Sequence, residues 1–347
     1  MKIIKKLALW LVCVTILELV GFTYVNNHFL AKETTVTAKN ILREKLSSEQ
    51  ELLKIPEGVS DVNISCDGKY MCYSQNNELR FMDLASKKEE IINPSSDSRI
   101  VLNKWVEGID NLLIIEQSTK TDNTFSVCWY NVLEHIKNKP MQLSNDLYNK
   151  YLKLQKVKIE NVSISSGTES FILQTIDSKG KKRINTVTFN GSIGYFDESK
   201  EIENIYLLNS TEKFIYEDRS DGKIKAYDSV RGEVPLDTSK LGNAILLKVD
   251  KDDNVFIGSL KDNKINKIYY KSMVIDNDSF KIIDLKENID RINLITTFDG
   301  NNYEVKRNAI KNLINNKEYK FKGQFLQISN NNIFSIDNGY LFKTSLQ

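Results

Sequence analysis

The sequence is poor in the residues that mark disulfide frameworks and metal centres. Only 4 cysteines and 2 histidines occur in 347 residues. Cys13 lies in an apolar N-terminal run, and the remaining three cysteines cannot all pair with one another. No Cys-x-x-Cys or Cys/His zinc spacing is present. We therefore expect buried free thiols, with a single disulfide as the alternative, and no metal or cofactor.

Catalytic motifs are also missing. A Ser-His-Asp triad would have to use His28 or His135, and no Gly-x-Ser-x-Gly elbow, His-Glu-x-x-His helix or Gly-x-x-x-x-Gly-Lys phosphate loop occurs. We predict no catalytic residues. Paired carboxylates for glycoside hydrolysis stay open, because such a pair is defined by its separation in space.

Charge of one sign is not in excess. The 48 basic and 46 acidic residues give a net charge of +2, which predicts no nucleic-acid partner. Proline is scarce, at 4 residues, while 41% of the chain is hydrophobic, as in a globular protein.

One long hydrophobic run does occur, from Leu7 to Val25, and Lys2, Lys5 and Lys6 precede it. A helix of this length matches the hydrocarbon core of a bilayer, and the basic flank favours a cytoplasmic N-terminus. We predict a transmembrane signal-anchor over residues 1–30, with the rest of the chain extracytoplasmic. A cleavable signal peptide is the alternative, although Phe29 occupies a position that needs a small side chain.

Glu18 lies inside this apolar run, where an ionised carboxylate costs about 2–3 kcal/mol. It is a candidate partner-binding residue that would contact another membrane helix. The alternative is a protonated or snorkelling side chain with no partner. Residues 31–57 are rich in helix formers, and Pro56 and Gly58 would end a helix there. We therefore predict a short helical stalk over residues 31–57.

Beyond the stalk, the stretch Asp61–Leu84 contains three predicted strands. The first ends at Ser65, an Asp67-Gly68 turn with positive φ at both residues leads to Tyr70–Ser74, and Glu78–Leu84 follows after a polar turn. Such a meander is typical of a propeller blade. With the Asp67-Gly68 turn, Cys72 lies opposite Asn63, so Cys66 and Cys72 are not direct cross-strand partners.

The pattern of strand, polar turn and strand recurs seven times, with start-to-start spacing of about 44 residues. The seven segments are 62–74, 101–117, 162–176, 205–219, 245–259, 292–306 and 325–339. We predict an all-β fold, a single β-propeller of about seven blades over residues 58–347. Six or eight blades, since a strand from the first blade could complete the last, and a pair of β-sandwiches are the alternatives.

An interruption separates the second and third repeats. After Pro140, Met141–Val157 places apolar residues at helical spacing, which predicts a helical insertion at about residues 134–157. It is either a partner-docking element or a cap over a loop.

The first repeat resembles the WD-like propeller repeat of the TolB type. The matching residues, with Cys66 in place of the usual proline, are Ser65, Asp67, Gly68, Lys69, Tyr73, Ser74, Met82, Asp83 and Leu84. The resemblance covers about 27 residues. It implies a scaffold of the periplasm or cell surface, or a gate ahead of a prolyl-oligopeptidase-type hydrolase domain. No such domain follows here, so we do not expect peptidase activity.

Two further features have competing interpretations. Trp105, Trp129 and Tyr130 are candidate partner-binding residues that would form a stacking surface, or else they belong to the blade core. Asp250–Asn254 resembles a calcium loop, but Val255 and Lys261 stand where an EF-hand needs glycine and glutamate, which favours a solvated hairpin turn.

Together these features predict a membrane-anchored, extracytoplasmic β-propeller that binds a protein or a cell-envelope component without catalysis. The alternatives are an enzyme acting on envelope glycan or peptide through carboxylates in the propeller channel, and a sensory ectodomain.

Overall fold

The structure is a computed structural model. It describes residues 15, 18, 49–120, 124–137, 141–142, 157–168, 170–187, 193–196, 201–228, 232–234, 236–238, 241–275 and 279–346. The chain divides into two units, Met1–Ser47 and Ser48–Gln347. In the first unit only Thr15 and Glu18 are described, and both are helical and exposed.

Within the described ranges, no helix combines the length and apolarity needed to cross a membrane. The structure therefore lends the predicted anchor no support, and most of residues 1–30 lie outside the described residues. The anchor stays a prediction.

The second unit is an all-β propeller of seven antiparallel sheets, or blades. It begins with β1 (Glu49–Lys54). Blade 1 contains β2 (Val59–Ile64), β3 (Tyr70–Gln75), β4 (Glu78–Asp83) and β5 (Glu89–Ile92). Blade 2 contains β6 (Ser98–Trp105), β7 (Asn111–Ser118), β8 (Phe125–Asn131), β9 (Ile136–Lys137) and β10 (Met141–Gln142). Blade 3 contains β11 (Val157–Ile164), β12 (Phe171–Asp177), β13 (Lys182–Val187) and β14 (Ile193–Phe196).

The remaining blades repeat this meander. Blade 4 contains β15 (Ile202–Leu207), β16 (Phe214–Asp218), β17 (Lys223–Asp228) and β18 (Gly232–Val234). Blade 5 contains β19 (Ala244–Val249), β20 (Asn254–Lys261), β21 (Lys264–Ser272) and β22 (Lys281–Asp290). Blade 6 contains β23 (Leu294–Thr296), β24 (Asn302–Lys306), β25 (Ala309–Asn312) and β26 (Glu318–Lys320), and blade 7 contains β27 (Gln324–Ser329), β28 (Asn332–Asp337) and β29 (Tyr340–Ser345).

Each of the seven predicted repeats forms the two innermost strands of one blade, so the repeat prediction is confirmed. The reason is local. Period-2 apolar alternation and turn residues encode each hairpin independently of the rest of the chain.

The ring is closed by β1, which pairs with β29 as the outermost strand of blade 7. Leu53, within β1, is buried among apolar residues of blades 7 and 1. The helical-stalk prediction over residues 31–57 is therefore wrong at its C-terminal end, because pairing with the free edge of β29 overrides local helix propensity. The closing strand precedes the first blade rather than coming from within it.

The turns of blade 1 correct a detail of the prediction. Gly68 has a φ of 72°, but Asp67 does not take a positive φ. Instead, Asp67 Oδ1 accepts hydrogen bonds from Ser65 Oγ at 2.6 Å and from the Lys69 amide at 3.0 Å. The next hairpin has positive φ at both Asn76 and Asn77, which suits a tight two-residue turn.

The core is divided into clusters between blades. Seven apolar clusters occur among the described residues, and each joins two neighbouring blades around the ring. Cys72 lies opposite Asn63 as predicted, and the three described cysteines are free. Burial raises the pKa of the Cys72 thiol to about 12, which keeps it protonated and unreactive.

The predicted helical insertion is contradicted at both of its ends. Met141–Gln142 forms β10, which pairs with β8, and Val157 already begins β11. Residues 143–156 lie outside the described residues. Met141 and Gln142 begin a segment whose apolar residues have helical spacing, but they pair with the edge of β8 instead.

Candidate functional site

The structure places the three predicted aromatic site residues in or against the cores between blades. Trp105 and Tyr130 are buried in the cluster between blades 1 and 2, and Trp105 Nε1 donates to the Asn63 carbonyl at 3.3 Å. Trp129 is half-buried against the cluster between blades 2 and 3. Two of the three rings therefore pack in blade core instead of forming a stacking surface. Glu18 is exposed.

One face of the ring is formed by the turns between the first and second strands of the blades, which we name the inner turns. Hydrogen bonds tie several of them to their neighbours. Asn330 Nδ2 donates to the Asp67 carbonyl at 3.1 Å, and the Lys251 amide donates to the Phe298 carbonyl at 2.8 Å. This inner-turn face is therefore cross-linked between blades.

The segment Asp250–Asn254 belongs to this face. It is a hairpin turn as predicted, and Lys251 and Asp252 within it are exposed, but Asp250 and Asp253 are buried. Asp253, 1% exposed, accepts from the Asn209 amide at 2.5 Å and from the Ser210 amide at 2.9 Å, both in blade 4. The Asp253 carboxylate thus accepts hydrogen bonds from backbone amides in the inner turn of blade 4. Among the described residues, no three His, Cys, Asp or Glu side chains form a group that would hold a metal ion.

The inner-turn face also carries contacts across the channel. Lys248 of blade 5 donates to both carboxylate oxygens of Glu107 of blade 2, at 2.5 and 2.6 Å. Beside this pair, a Cβ on Gly108 would lie 2.8 Å from Cε1 of Phe298 of blade 6. Side chains from non-neighbouring blades therefore meet near the axis.

The channel contains two cavities that share a wall. A cavity of about 930 Å³, the wide compartment, is lined by blades 1, 2, 3, 6 and 7 and by Lys251 of blade 5. A cavity of about 170 Å³, the narrow compartment, is lined by the innermost strands of blades 2 to 5 and by Phe298. Lys104, Glu107 and Phe298 line both.

Lys104 and Lys248 give the channel wall its positive charge. The Lys104 ammonium donates to the Val162 carbonyl at 2.6 Å. The Lys104 side chain is solvent-exposed along the channel, and the protein around it, followed by the Lys248 charge, lowers its pKa from the usual 10.5 to about 8. Burial by itself lowers the pKa of Lys248, but the Glu107 carboxylate outweighs burial and holds the net pKa above its usual value.

The wide compartment also holds a pair of carboxyl groups, Asp67 and Asp110. Burial, followed by the charge of Asp67, raises the pKa of Asp110. Burial also opposes ionisation of Asp67, yet hydrogen bonds from Lys69 and Ser65 lower its net pKa. Their environments therefore shift the pKa values of these neighbouring groups in opposite directions, down for Asp67 and up for Asp110.

A third cavity, of about 590 Å³, lies between blades 5 and 6, and we name it the blade 5–6 groove. Its apolar wall comprises Phe256, Tyr270, Ile283, Leu285, Ile289 and Leu313. Two isoleucines at the groove are largely exposed, Ile282 at 51% and Ile314 at 62%.

The outer strand of blade 5 is irregular along this groove. Pairing between β21 and β22 steps from Ile265 with Ile289 to Lys267 with Asp284, so residues 285–288 have no partner in the β21 ladder. β22 is also the outermost strand of its sheet, which leaves one edge without a pairing strand in that sheet.

The groove carries both charges. Six carboxylates line it, from Asp250, Asp252, Asp284, Glu287, Asp299 and Glu304, together with the ammonium groups of Lys286 and Lys311. Three of the carboxylates pair with lysines outside the lining: Asp284 with Lys267, Asp299 with Lys251, and Glu304 with Lys306. The groove is therefore an apolar surface with a mixed, slightly acidic rim.

Neither protein-family models nor the curated proteins match this sequence. Solved structures do match, and β-propeller domains are among them. The β-propeller domain of Myceliophteria thermophila Cps50 (Swd1) aligns with a TM-score of 0.51 at 10% identity, over 85% of this chain and 99% of that one. The likeness shows the fold.

Longer proteins match as well. The tricorn protease aligns with a TM-score of 0.53 at 12% identity, over 86% of this chain and 34% of its own. A prolyl endopeptidase aligns with a TM-score of 0.51 at 11% identity, over 77% and 42% of the two chains. The chain thus spans less than half of either peptidase, and these likenesses too show the fold alone.

Sequence analysis missed Lys104, Glu107 and Lys248. A signal for the lysines exists, because each is the penultimate residue of the innermost strand of its blade, β6 and β19. A charged residue at the penultimate position of the innermost strand in two repeats indicates a residue of the channel wall. Nothing local indicates that Glu107 would meet Lys248.

Proposed function

We propose that this chain is a membrane-anchored, extracytoplasmic β-propeller that binds a protein partner of the cell envelope and catalyses no reaction. The observation that carries the proposal is the blade 5–6 groove, where Ile282 and Ile314 remain exposed beside an apolar wall. Large apolar side chains grouped at a concave surface are typical of interaction sites.

An extended peptide segment of the partner suits this groove best. Residues 285–288 are free of the β21 ladder and belong to an edge strand, so their main-chain groups are available to pair with a peptide. Apolar side chains of that peptide would contact Leu285 and Leu313. A basic side chain would be favoured near Glu287 and Asp252, for which no lysine or arginine partner occurs among the described residues.

The proposed membrane anchoring and extracytoplasmic location rest on the sequence. Leu7 to Val25 is apolar and follows three lysines, which supports an anchor with the propeller outside the cytoplasm. The TolB-type resemblance of the first repeat supports the same assignment, since such propellers are envelope or surface scaffolds. Glu18 would contact a second membrane helix.

A second candidate function is supported by Asp67 and Asp110. Two neighbouring carboxyl groups with opposite pKa shifts, in a cavity of about 930 Å³, are the pattern of an acid and a base in glycan or peptide hydrolysis. Under this alternative, Asp110→Asn would abolish hydrolysis of envelope glycan or peptide. Lys69 already pairs with Asp67 at 2.8 Å, which favours a structural role for that carboxylate.

The proposal is tested by affinity capture from native membranes in mild detergent. The baits are the full chain, a chain that begins at Ser48 and so keeps β1, and each of these with Ile314→Asp. We expect one protein to be held by both wild-type baits and lost from both variants. Retention of that protein by the Ile314→Asp baits, or recovery of none, contradicts binding through the groove, and loss only on truncation would implicate Glu18 and the stalk.

A further inference from the structure

We propose that the narrow compartment of the channel binds a small oxyanion, such as a short carboxylate or inorganic phosphate, between Lys104 and Lys248. This site is separate from the blade 5–6 groove and independent of the protein partner.

The charge of the compartment is the first argument. The side chains that line it include two ammonium groups, from Lys104 and Lys248, and a single carboxylate, from Glu107. Glu107 is engaged by Lys248. In the described part of the chain, no carboxylate lies within ion-pairing distance of Lys104. One positive charge is therefore left uncompensated inside the ring.

Neutral donors complete the site. Asn161 accepts from the Val162 amide through Oδ1 at 2.8 Å, which leaves its Nδ2 group as a donor. The Tyr206 side chain lines the same wall, and the Lys248 ammonium lies 5.6 Å from the centre of its ring. Ammonium, amide and hydroxyl donors on one small cavity are what an oxyanion requires.

The two lysines also explain why an anion is favoured over a neutral ligand. Lys248 and Lys104 repel each other, which is one reason that the pKa of Lys104 is depressed to about 8. An anion between them attracts both charges and so raises the pKa of Lys104 on binding. The other ionisable groups of the narrow compartment are Glu107 and Tyr206, and Glu107 already opposes the depression. Those that the wide compartment adds include Cys66, Asp67, Asp110, Lys251 and Asp299.

The size of the cavity selects the ligand. About 170 Å³ holds a ligand of several non-hydrogen atoms, and the walls are innermost strands hydrogen-bonded within their blades. A polynucleotide or a folded partner has no room there. The wide compartment across Lys104 offers a route of entry.

The experiment is calorimetric titration of the full chain in mild detergent with sodium acetate, pyruvate, phosphate and sulfate at pH 7.0 and 8.5. The variants are Lys104→Met and Lys104→Gln. The control is Lys251→Met, which removes an exposed lysine of the wide compartment. Near-ultraviolet circular dichroism identifies variants that keep the native fold.

We expect saturable binding of at least one of these anions, a loss of affinity of about tenfold or more in both Lys104 variants, and a change below twofold in Lys251→Met. At pH 8.5, titrations in two buffers of different ionisation enthalpy should show proton uptake on binding, and this uptake should vanish in Lys104→Met. No saturable binding by any of the four anions overturns the proposal. So does equal binding by folded Lys104 variants and the wild type.

Discussion

Glu107 and Lys248 are 141 residues apart in sequence, yet their side chains form an ion pair across the channel of the ring. Neighbouring blades in a propeller are joined by apolar packing between sheets. This pair instead connects blade 2 to blade 5, which are not neighbours. It links Glu107, in the inner turn of blade 2, to the innermost strand of blade 5.

A glycine substitution measures the crowding around this pair. Gly108→Ala places a Cβ 2.8 Å from Phe298 Cε1, whereas Gly180→Ala meets nothing within 4 Å. Both glycines have positive φ, 88° and 80°, so each alanine carries a similar backbone cost of about 1–2 kcal/mol. We expect Gly108→Ala to cost about 1 kcal/mol or more beyond Gly180→Ala in urea unfolding. Equal costs would show that Phe298 does not press against this turn.

Closure of the ring by β1 gives a second prediction. Leu53→Ala removes a side chain buried between blades 7 and 1, and we expect it to lower the free energy of unfolding by about 2–3 kcal/mol. Glu51→Ala, on the same strand but exposed, should change it by less than about 0.5 kcal/mol. Denaturant titration of both variants is the measurement, and a Leu53→Ala effect as small as the control would mean that β1 is not needed for closure.

The buried carboxylate of Asp253 gives a third prediction. Asp253→Asn weakens the hydrogen bonds that Asn209 and Ser210 donate to it from blade 4, and we expect a cost of about 1–3 kcal/mol. Asp262→Asn is the matched control, because Asp262 also has a positive φ, 53° against 57°, but is exposed. Thermal unfolding compares the two. Similar melting temperatures would assign no stabilising role to the contact between blades 4 and 5.

The channel lysine predicts a pH dependence. The unfolded chain holds a proton on Lys104 up to its ordinary pKa of 10.5, whereas the folded chain releases it near 8. Unfolding therefore takes up a proton between about pH 8 and pH 10.5, and this group makes the free energy of unfolding rise with pH in that window. Urea titrations at pH 7, 8, 9 and 10 test this. The free energy of unfolding of the wild type minus that of Lys104→Met should rise as the pH increases from 8 to 10, and a constant value would contradict the depressed pKa.

The parts of this fold that sequence analysis predicted are those encoded locally. Seven inner hairpins follow from apolar alternation and turn residues, and the opposition of Cys72 and Asn63 follows from the turn length between them. The outer strands are harder to predict. Two of those described, Gly232–Val234 and Glu318–Lys320, span three residues, too few to show a period.

The features that sequence analysis missed depend on ring closure. Glu49–Lys54 has the composition of a helix and becomes a strand only because β29 offers an edge. The sequence around Trp105 is compatible with either a surface residue or a core residue. The packing of blade 1 against it shows that it belongs to the core. The meeting of Glu107 with Lys248, and the exposure of Ile282 and Ile314 at one groove, require the angular positions of the blades, which no local pattern specifies.

Photo-crosslinking from the groove shows whether a protein occupies it in native membranes. A photo-reactive amino acid replaces Ile314 in the full chain in its native membranes, and in a second sample it replaces Ile292, which is 88% exposed and lies outside the groove lining. We predict one discrete protein adduct from position 314, its loss when Ile282→Asp is added, and no such adduct from position 292. An equal adduct from both positions, or none from position 314, would contradict a protein-binding role for the blade 5–6 groove.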